Sequence, residues 1–234
     1  MLRFPGTWSE NDFAHALSLV GAEADILWHA DADLRGYDAA IVPGGFTYGD
    51  YLRAGAIAAI SPAAAELRRA AAEGLPILGS CNGFQILCEI GLLPGALVRN
   101  RHLEFRCDWV HLRIESDRTP FTADLAGEIV RLPIAHGEGC WVADELTLER
   151  IEANGQVVFR YTDARGAATP DANPNGSTAN IAGIANAGGN VVGLMPHPEH
   201  ATEEGFGPDT ALAMSSGTDG LRFFTSALES LLSA

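Results

Sequence analysis

The 234 residues, 47% hydrophobic and 19% charged, suit one large α/β domain with a substantial core and are too apolar for a disordered chain. A formal net charge of −15 argues against a nucleic-acid binder and leaves plain solubility, or an acidic face toward a partner, as its meaning. Four irregularly spaced cysteines give neither a disulfide framework nor a zinc pattern. No run of about 18 apolar residues offers a membrane span, and the start lacks a basic-then-apolar signal region. A cytoplasmic enzyme is the expectation.

Strands and helices alternate along the chain. Ser9 reads as the N-cap of a helix with Phe13, Ala16, Leu17 and Val20 as its apolar stripe and Gly21 as its stop. Asp25 to Trp28 and Ala39 to Val42 are candidate strands. Ser61-Pro62 opens a second helix, with proline at its first position and Gly74 ending it. Pro76 to Leu78 is a short buried strand, followed by a helix carrying Phe84, Leu87 and Cys88 and ending at Gly91. From Trp109 to Glu115 apolar and polar residues alternate, the pattern of a half-exposed antiparallel strand. Glu128 to Ile134 and Gln156 to Tyr161 extend this region. Residues 171–177 form a turn-rich loop, Val191 to Met195 is a buried strand, and Leu221, Phe224, Leu228 and Leu231 mark a last helix.

The most informative segment is Gly79-Ser80-Cys81-Asn82-Gly83. A small-x-Cys-x-small pentapeptide between a strand and a helix is a nucleophile elbow with cysteine in place of serine. Its turn is so sharp that side chains two residues either side of the nucleophile would collide. It also sets the sulfur at a helix N-terminus, where the thiolate is favoured. A nucleophile needs a base and the base an orienter. His197 lies just past the C-terminal end of the 191–195 strand, where open α/β sheets place their ligands. Glu199 lies two residues on, on the same side of a segment stiffened by Pro196 and Pro198. Cys81, His197 and Glu199 are therefore the candidate triad. Cys88, Cys107 and Cys140 have no base paired with them.

Pro43-Gly44-Gly45-Phe46 follows another buried strand. Glycine lets backbone N–H groups approach a ligand closely, and acyl transfer needs two such donors for the tetrahedral oxygen. Asn82, after the nucleophile, can supply one, and Gly45 or Phe46 the other. Without the elbow this loop would be an ordinary βα turn. It has no phosphate-loop lysine.

Together these segments resemble the class I, or triad, glutamine amidotransferases. Within that group the chain is similar to the glutaminase subunits of phosphoribosylformylglycinamidine synthases. The likeness rests on Phe4 to Thr7, residues 43–58 (PGGFTYGDYLRAGAIA) and 79–97 (GSCNGFQILCEIGLLPGAL). It continues through 99–107 (RNRHLEFRC), 133–139 (PIAHGEG), 173–177 (NPNGS) and 195–201 (MPHPEHA), in order and over nearly the whole chain. The resemblance implies one three-layer α/β domain over residues 1–234. Its central sheet would be mostly parallel, with helices on both faces and a smaller antiparallel part.

It further implies L-glutamine as substrate, attacked by Cys81, with His197 as proton carrier oriented by Glu199. The oxyanion would be held by Gly45, Phe46 and Asn82, and bound glutamine contacted by Gln85 and His136. No metal or cofactor is expected in this chain. ATP and Mg would serve a separate large synthetase subunit that receives the ammonia, and a small third subunit would bridge the two. No nucleic-acid or membrane partner is expected.

Some positions depart from the family pattern. Only Met1 to Arg3 precede Phe4, where the family has a full first strand, so either the start is misassigned or the first strand is shortened. His200 stands where arginine is frequent and Glu104 where lysine is, which bears on the contact with the synthetase. The segment from Glu203 to Gly220 is longer than in the shortest members. Two further readings stay open: another amidotransferase-like cysteine hydrolase sharing the elbow, and a non-catalytic regulatory subunit. A Cys/His metal site lacks two of its four ligands.

Overall fold

The structure, a computed structural model, describes residues 1–204 and 217–233. Among the described residues, eleven strands and five α-helices follow in order: β1 (Leu2–Arg3), α1 (Glu10–Leu19), β2 (Leu27–Trp28), β3 (Ala40–Val42), α2 (Pro62–Ala72), β4 (Ile77–Ser80), α3 (Asn82–Glu89) and β5 (Ala96–Val98). They continue with β6 (Arg106–Ile114), β7 (Ile129–His136), β8 (Cys140–Val142), α4 (Glu145–Ala153), β9 (Val157–Thr162), β10 (Ile181–Ala185), β11 (Val191–Leu194) and α5 (Leu221–Leu232).

Seven strands form the main sheet in the order β3-β4-β11-β10-β9-β6-β7. β3, β4 and β11 run parallel, whereas β10, β9, β6 and β7 join by antiparallel pairing. The sheet is thus mixed, and its antiparallel part is larger than the sequence suggests. Periodicity detects the half-exposed β6, but β10 (IAGIA) is buried throughout, and a short fully apolar strand carries no alternation from which to read its direction.

Period-two alternation on the parallel strands divides the core in two. Ala40, Val42, Ile77 and Val191 face a layer containing Ala63, Ala64 and Leu67 of α2 and Phe84 and Leu87 of α3. Ile41, Leu78, Val192 and Leu194 face the other layer, with Phe13 and Ala16 of α1 and Phe223, Phe224 and Ala227 of α5. Helices therefore cover both faces, as a three-layer α/β arrangement requires. β1 is two residues long and pairs with β2, in line with the short first strand expected.

Local punctuation follows the sequence closely. Pro62 occupies the first position of α2, and Gly21, Gly74 and Gly91, just past α1, α2 and α3, all adopt positive φ. Ser9 precedes α1, but its side chain caps no helix N–H. Instead its hydroxyl accepts from the Gly44 N–H at 2.8 Å, so the serine braces the PGG loop. Helix α4 escapes sequence reading because Ile151 is its only buried residue and it shows no apolar stripe; Asp144 caps it through the Thr147 N–H at 2.7 Å. Most of the long segment expected from Glu203 to Gly220 lies outside the described residues.

Candidate active site

The parallel strands bring three loops to one sheet edge. Cys81 follows β4, His197 follows β11, and Gly44 and Gly45 follow β3. Register fixes their proximity: Leu194 pairs with Ser80, Val42 with Gly79, and the Cys81 N–H donates to the Leu194 carbonyl at 2.8 Å.

Cys81 takes φ 50° and ψ −107° immediately before α3. Such a conformation in a non-glycine residue costs about 1–3 kcal/mol and persists only where the surroundings enforce it. The enforcement is visible. A Cβ on Gly79 would lie 2.8 Å from the Gly83 carbonyl carbon, and one on Gly83 would overlap the carbonyl oxygen of Val42. The two flanking glycines thus let strand, turn and helix close on one another. Cys81 is 6% exposed, and its Sγ lies 3.8 Å from the Ala135 carbonyl oxygen at the end of β7.

His197 and Glu199 are buried, and Nδ1–H of the imidazole donates to Glu199 Oε1 at 2.7 Å. Ser80, one residue before the nucleophile, lies 3.2 Å from Glu199 Oε2 and donates to it. Burial alone would lower the proton affinity of His197. The charges of Glu199 and Cys81 outweigh it and hold the imidazole well above its ordinary range. Glu199 shows the converse: burial pushes its carboxyl up, the imidazolium pulls it down, and the net direction is down. The second ring nitrogen, Nε2, is buried and makes no hydrogen bond among the described residues. The neighbouring sulfur biases its protonation without a formed bond. With Nδ1 committed to Glu199, Nε2 is left to exchange a proton with a reacting group.

The candidate oxyanion donors separate. The Phe46 N–H donates to the Gly6 carbonyl at 2.9 Å, so it is not free to hold an oxyanion; the Thr7–Gly45 bridge that pins the loop takes it. The N–H groups of Gly45 and Asn82 make no hydrogen bond among the described residues. Asn82 heads α3, where backbone donors are unpaired by geometry. Phe46 contributes its ring instead, half exposed at the mouth of the site 6.5 Å from Phe105.

A cleft of about 260 Å³ opens over Cys81, walled by Gly45, Phe46, Asp50, Gln85, Phe105 and His136 among others. A larger groove beside α5 lies away from this edge and holds none of these residues. Gln85 donates to the Glu138 carbonyl at 2.7 Å and accepts from Asn82 Nδ2 at 2.8 Å. His136 has Nδ1 3.2 Å from Asn100 Oδ1, while its Nε2 is buried without a partner among the described residues. Burial, with the nearby His197 charge, drives His136 down to about 3, so it is neutral at physiological pH.

Two acidic wall residues, Asp50 and Glu138, carry no local signal of a role in the sequence. Asp50 is pushed up to about 6 by burial and by repulsion from Glu138. Both lie inside segments quoted for the family likeness, yet nothing in the local pattern says that they meet. The 173–177 and 99–107 segments gain a purpose too. Asn175 donates to the Gly139 carbonyl at 2.8 Å, and Asn100 donates to the His136 carbonyl at 2.8 Å and accepts from the Gly139 N–H at 2.9 Å. They brace the 136–139 loop over the cleft. Of the other cysteines, Cys88 is pushed up by burial to a range where the thiolate does not form, Cys140 is raised by burial too, and Cys107 is exposed.

The family of CobB/CobQ-like glutamine amidotransferase domains matches residues 1–229. The chain belongs to that family. It is 52% identical over 233 residues to the phosphoribosylformylglycinamidine synthase subunit PurQ of Leifsonia xyli, covering 99% of this chain and 97% of the relative. To the subunit of the same name from Thermomicrobium roseum it is 54% identical over 230 residues, covering 97% and 94%. A chain in the structure of PurLQS from Thermotoga maritima matches with a TM-score of 0.83 at 43% identity, covering 98% of this chain and 96% of that one. Among the described residues no helix is long and apolar enough to cross a membrane.

Proposed function

We infer that this chain is the glutaminase subunit of a phosphoribosylformylglycinamidine synthase. The observation that carries the reading is the buried His197–Glu199 pair at 2.7 Å beside an elbow cysteine, in a chain more than half identical along its length to subunits of that synthase. A decayed regulatory subunit would not need to hold a strained cysteine and a buried imidazole–carboxylate pair at one sheet edge.

The reaction follows from the groups present. Cys81 Sγ attacks the carboxamide carbon of L-glutamine, and the negative charge moves to the amide oxygen, which faces the Gly45 and Asn82 N–H groups. As the tetrahedral centre collapses the C–N bond breaks, and His197 delivers its Nε2 proton to the leaving nitrogen, releasing ammonia. Water then attacks the glutamyl thioester. His197 takes a proton from that water and returns it to sulfur as the C–S bond breaks, freeing glutamate and Cys81. Glu199 keeps the imidazole in the tautomer with Nε2 toward the substrate. Gln85 and His136 line the cleft as contacts for bound glutamine.

The ammonia passes to a separate large synthetase subunit, which uses ATP and Mg to convert formylglycinamide ribonucleotide to formylglycinamidine ribonucleotide. A small subunit bridges the two, and the assembly is cytoplasmic. This chain contributes one glutamine amidotransferase domain over residues 1–234. The test is labelling with 6-diazo-5-oxo-norleucine, followed by peptide mapping. A single adduct on Cys81, blocked by excess glutamine, supports the reading. No adduct, alone or with the synthetase added, overturns it.

A further inference from the structure

His197 is crowded by a second histidine. The ring of His200 lies parallel to that of His197, with centroids 4.9 Å apart and planes 12° from coincident. The two histidines are joined only by the short turn Pro198–His200. On its far side His200 is anchored: Nε2–H donates to Asp12 Oδ2 of α1 at 3.2 Å, and Trp8 packs its ring 5.6 Å away. The side chain is about a quarter exposed, so protons reach it from solvent.

We propose that His200 is a positioning residue of the site, stacked on the base His197 and anchored by Asp12, and that the charge carried at this position sets how readily His197 takes up its proton. The argument is electrostatic and geometric. A parallel stack leaves His197 little freedom to rotate away from Glu199. Two imidazolium rings at this separation repel each other, so a charged His200 opposes the charging of His197, and a neutral one does not. The charge on His200 is also felt by Glu199, whose ionised form it favours.

The surrounding groups are few. From its own turn His200 faces His197 and Glu199; from α1 it faces Asp12, with His15 beyond it already paired to Glu203 at 2.9 Å. The charged groups at the start of α5 turn elsewhere: Asp219 accepts from the Arg131 N–H and Arg222 pairs with Glu128. Asp12 is therefore the one carboxylate outside the turn bonded to this ring among the described residues.

The proposal rests on His197 being the base of a glutaminase, and its test separates the two ideas. Histidine NMR on the full chain follows the His197 imidazole through its titration in the parent, His200→Phe and His200→Arg. Phenylalanine keeps a flat ring without charge; arginine keeps a flat, permanently positive group. The expected midpoint for His197 is about one unit lower with arginine than with phenylalanine, with the parent at or between these limits. Glutaminase pH profiles measured with the synthetase should shift in the same order. Indistinguishable His197 midpoints across the three variants overturn the role of His200, whatever the glutaminase does. Shifted midpoints in a chain that hydrolyses no glutamine leave the role of His200 standing and overturn the glutaminase reading. If the phenylalanine variant fails to fold, the comparison of arginine with the parent decides, and no shift in the His197 midpoint overturns the proposal.

Discussion

Gly44 lies against the edge of the His197 imidazole: a Cβ on Gly44 would fall 2.9 Å from Cε1 and 3.2 Å from the hydroxyl of Ser9. The PGG loop thus does more than offer backbone donors. It limits where the base can stand, and Ser9 in turn holds the Gly44 N–H. Gly44→Ala is expected to cost about 1–3 kcal/mol of stability through overpacking. It should also lower glutamine turnover by at least about tenfold, because displaced reacting groups lose rate steeply. Thermal unfolding and steady-state glutaminase assays read the two effects separately. Unchanged turnover would mean that the imidazole is positioned without this contact.

Cys81→Ala removes the nucleophile and leaves the sheet edge otherwise intact. In the assembled synthase, glutamine-dependent synthesis should disappear while synthesis from added ammonium salt persists. Loss of both activities would show that Cys81 is needed for assembly.

Glu199→Gln keeps the volume of the side chain and removes its charge. Because Glu199 holds His197 protonated at Nδ1 and raises its proton affinity, turnover should drop by about 10²- to 10⁴-fold. Iodoacetamide should still alkylate Cys81. Turnover equal to the parent would remove Glu199 from the mechanism.

Asp50 is the wall carboxylate whose proton affinity is raised to about 6 by burial and by Glu138. A carboxylate beside the cleft is suited to the α-ammonium group of glutamine once it is ionised. Glutamine KM should therefore rise as pH falls through about 6. Asp50→Asn should raise KM and flatten that dependence with a smaller effect on kcat. A KM that ignores both changes would place the ammonium elsewhere.

His136 is buried neutral, lowered from 6.5 to about 3. The unfolded chain binds a proton at this residue below its ordinary range and the folded chain does not. Stability from this group is therefore complete above about pH 6.5 and declines as pH falls toward 3. Urea unfolding of the parent and His136→Gln between those limits should differ in slope by up to about 1.4 kcal/mol per pH unit, the value for one proton. Parallel profiles would mean that the ring is protonated in the folded chain.

Local sequence is enough for the elements with strong local causes and for the chemistry of the triad. Glycines two residues either side of Cys81 announce the elbow because only they let Gly79, Gly83 and Val42 close on each other. A histidine two residues from a glutamate after an apolar strand announces the base, although the two meet through the tight turn Pro198–His200 and not through the extended segment expected. The rest follows from contacts between residues far apart in the chain. The direction of β10 is set by its neighbours, since a strand buried on both faces has no alternation to read. Phe46 loses its backbone donor to Gly6, 40 residues away in sequence. Asp50 and Glu138 share a wall only because β3 and β7 end at the same rim. His200 meets Asp12 of α1 across 188 residues, a contact made by packing two helical segments on one face of the sheet, which no local pattern encodes.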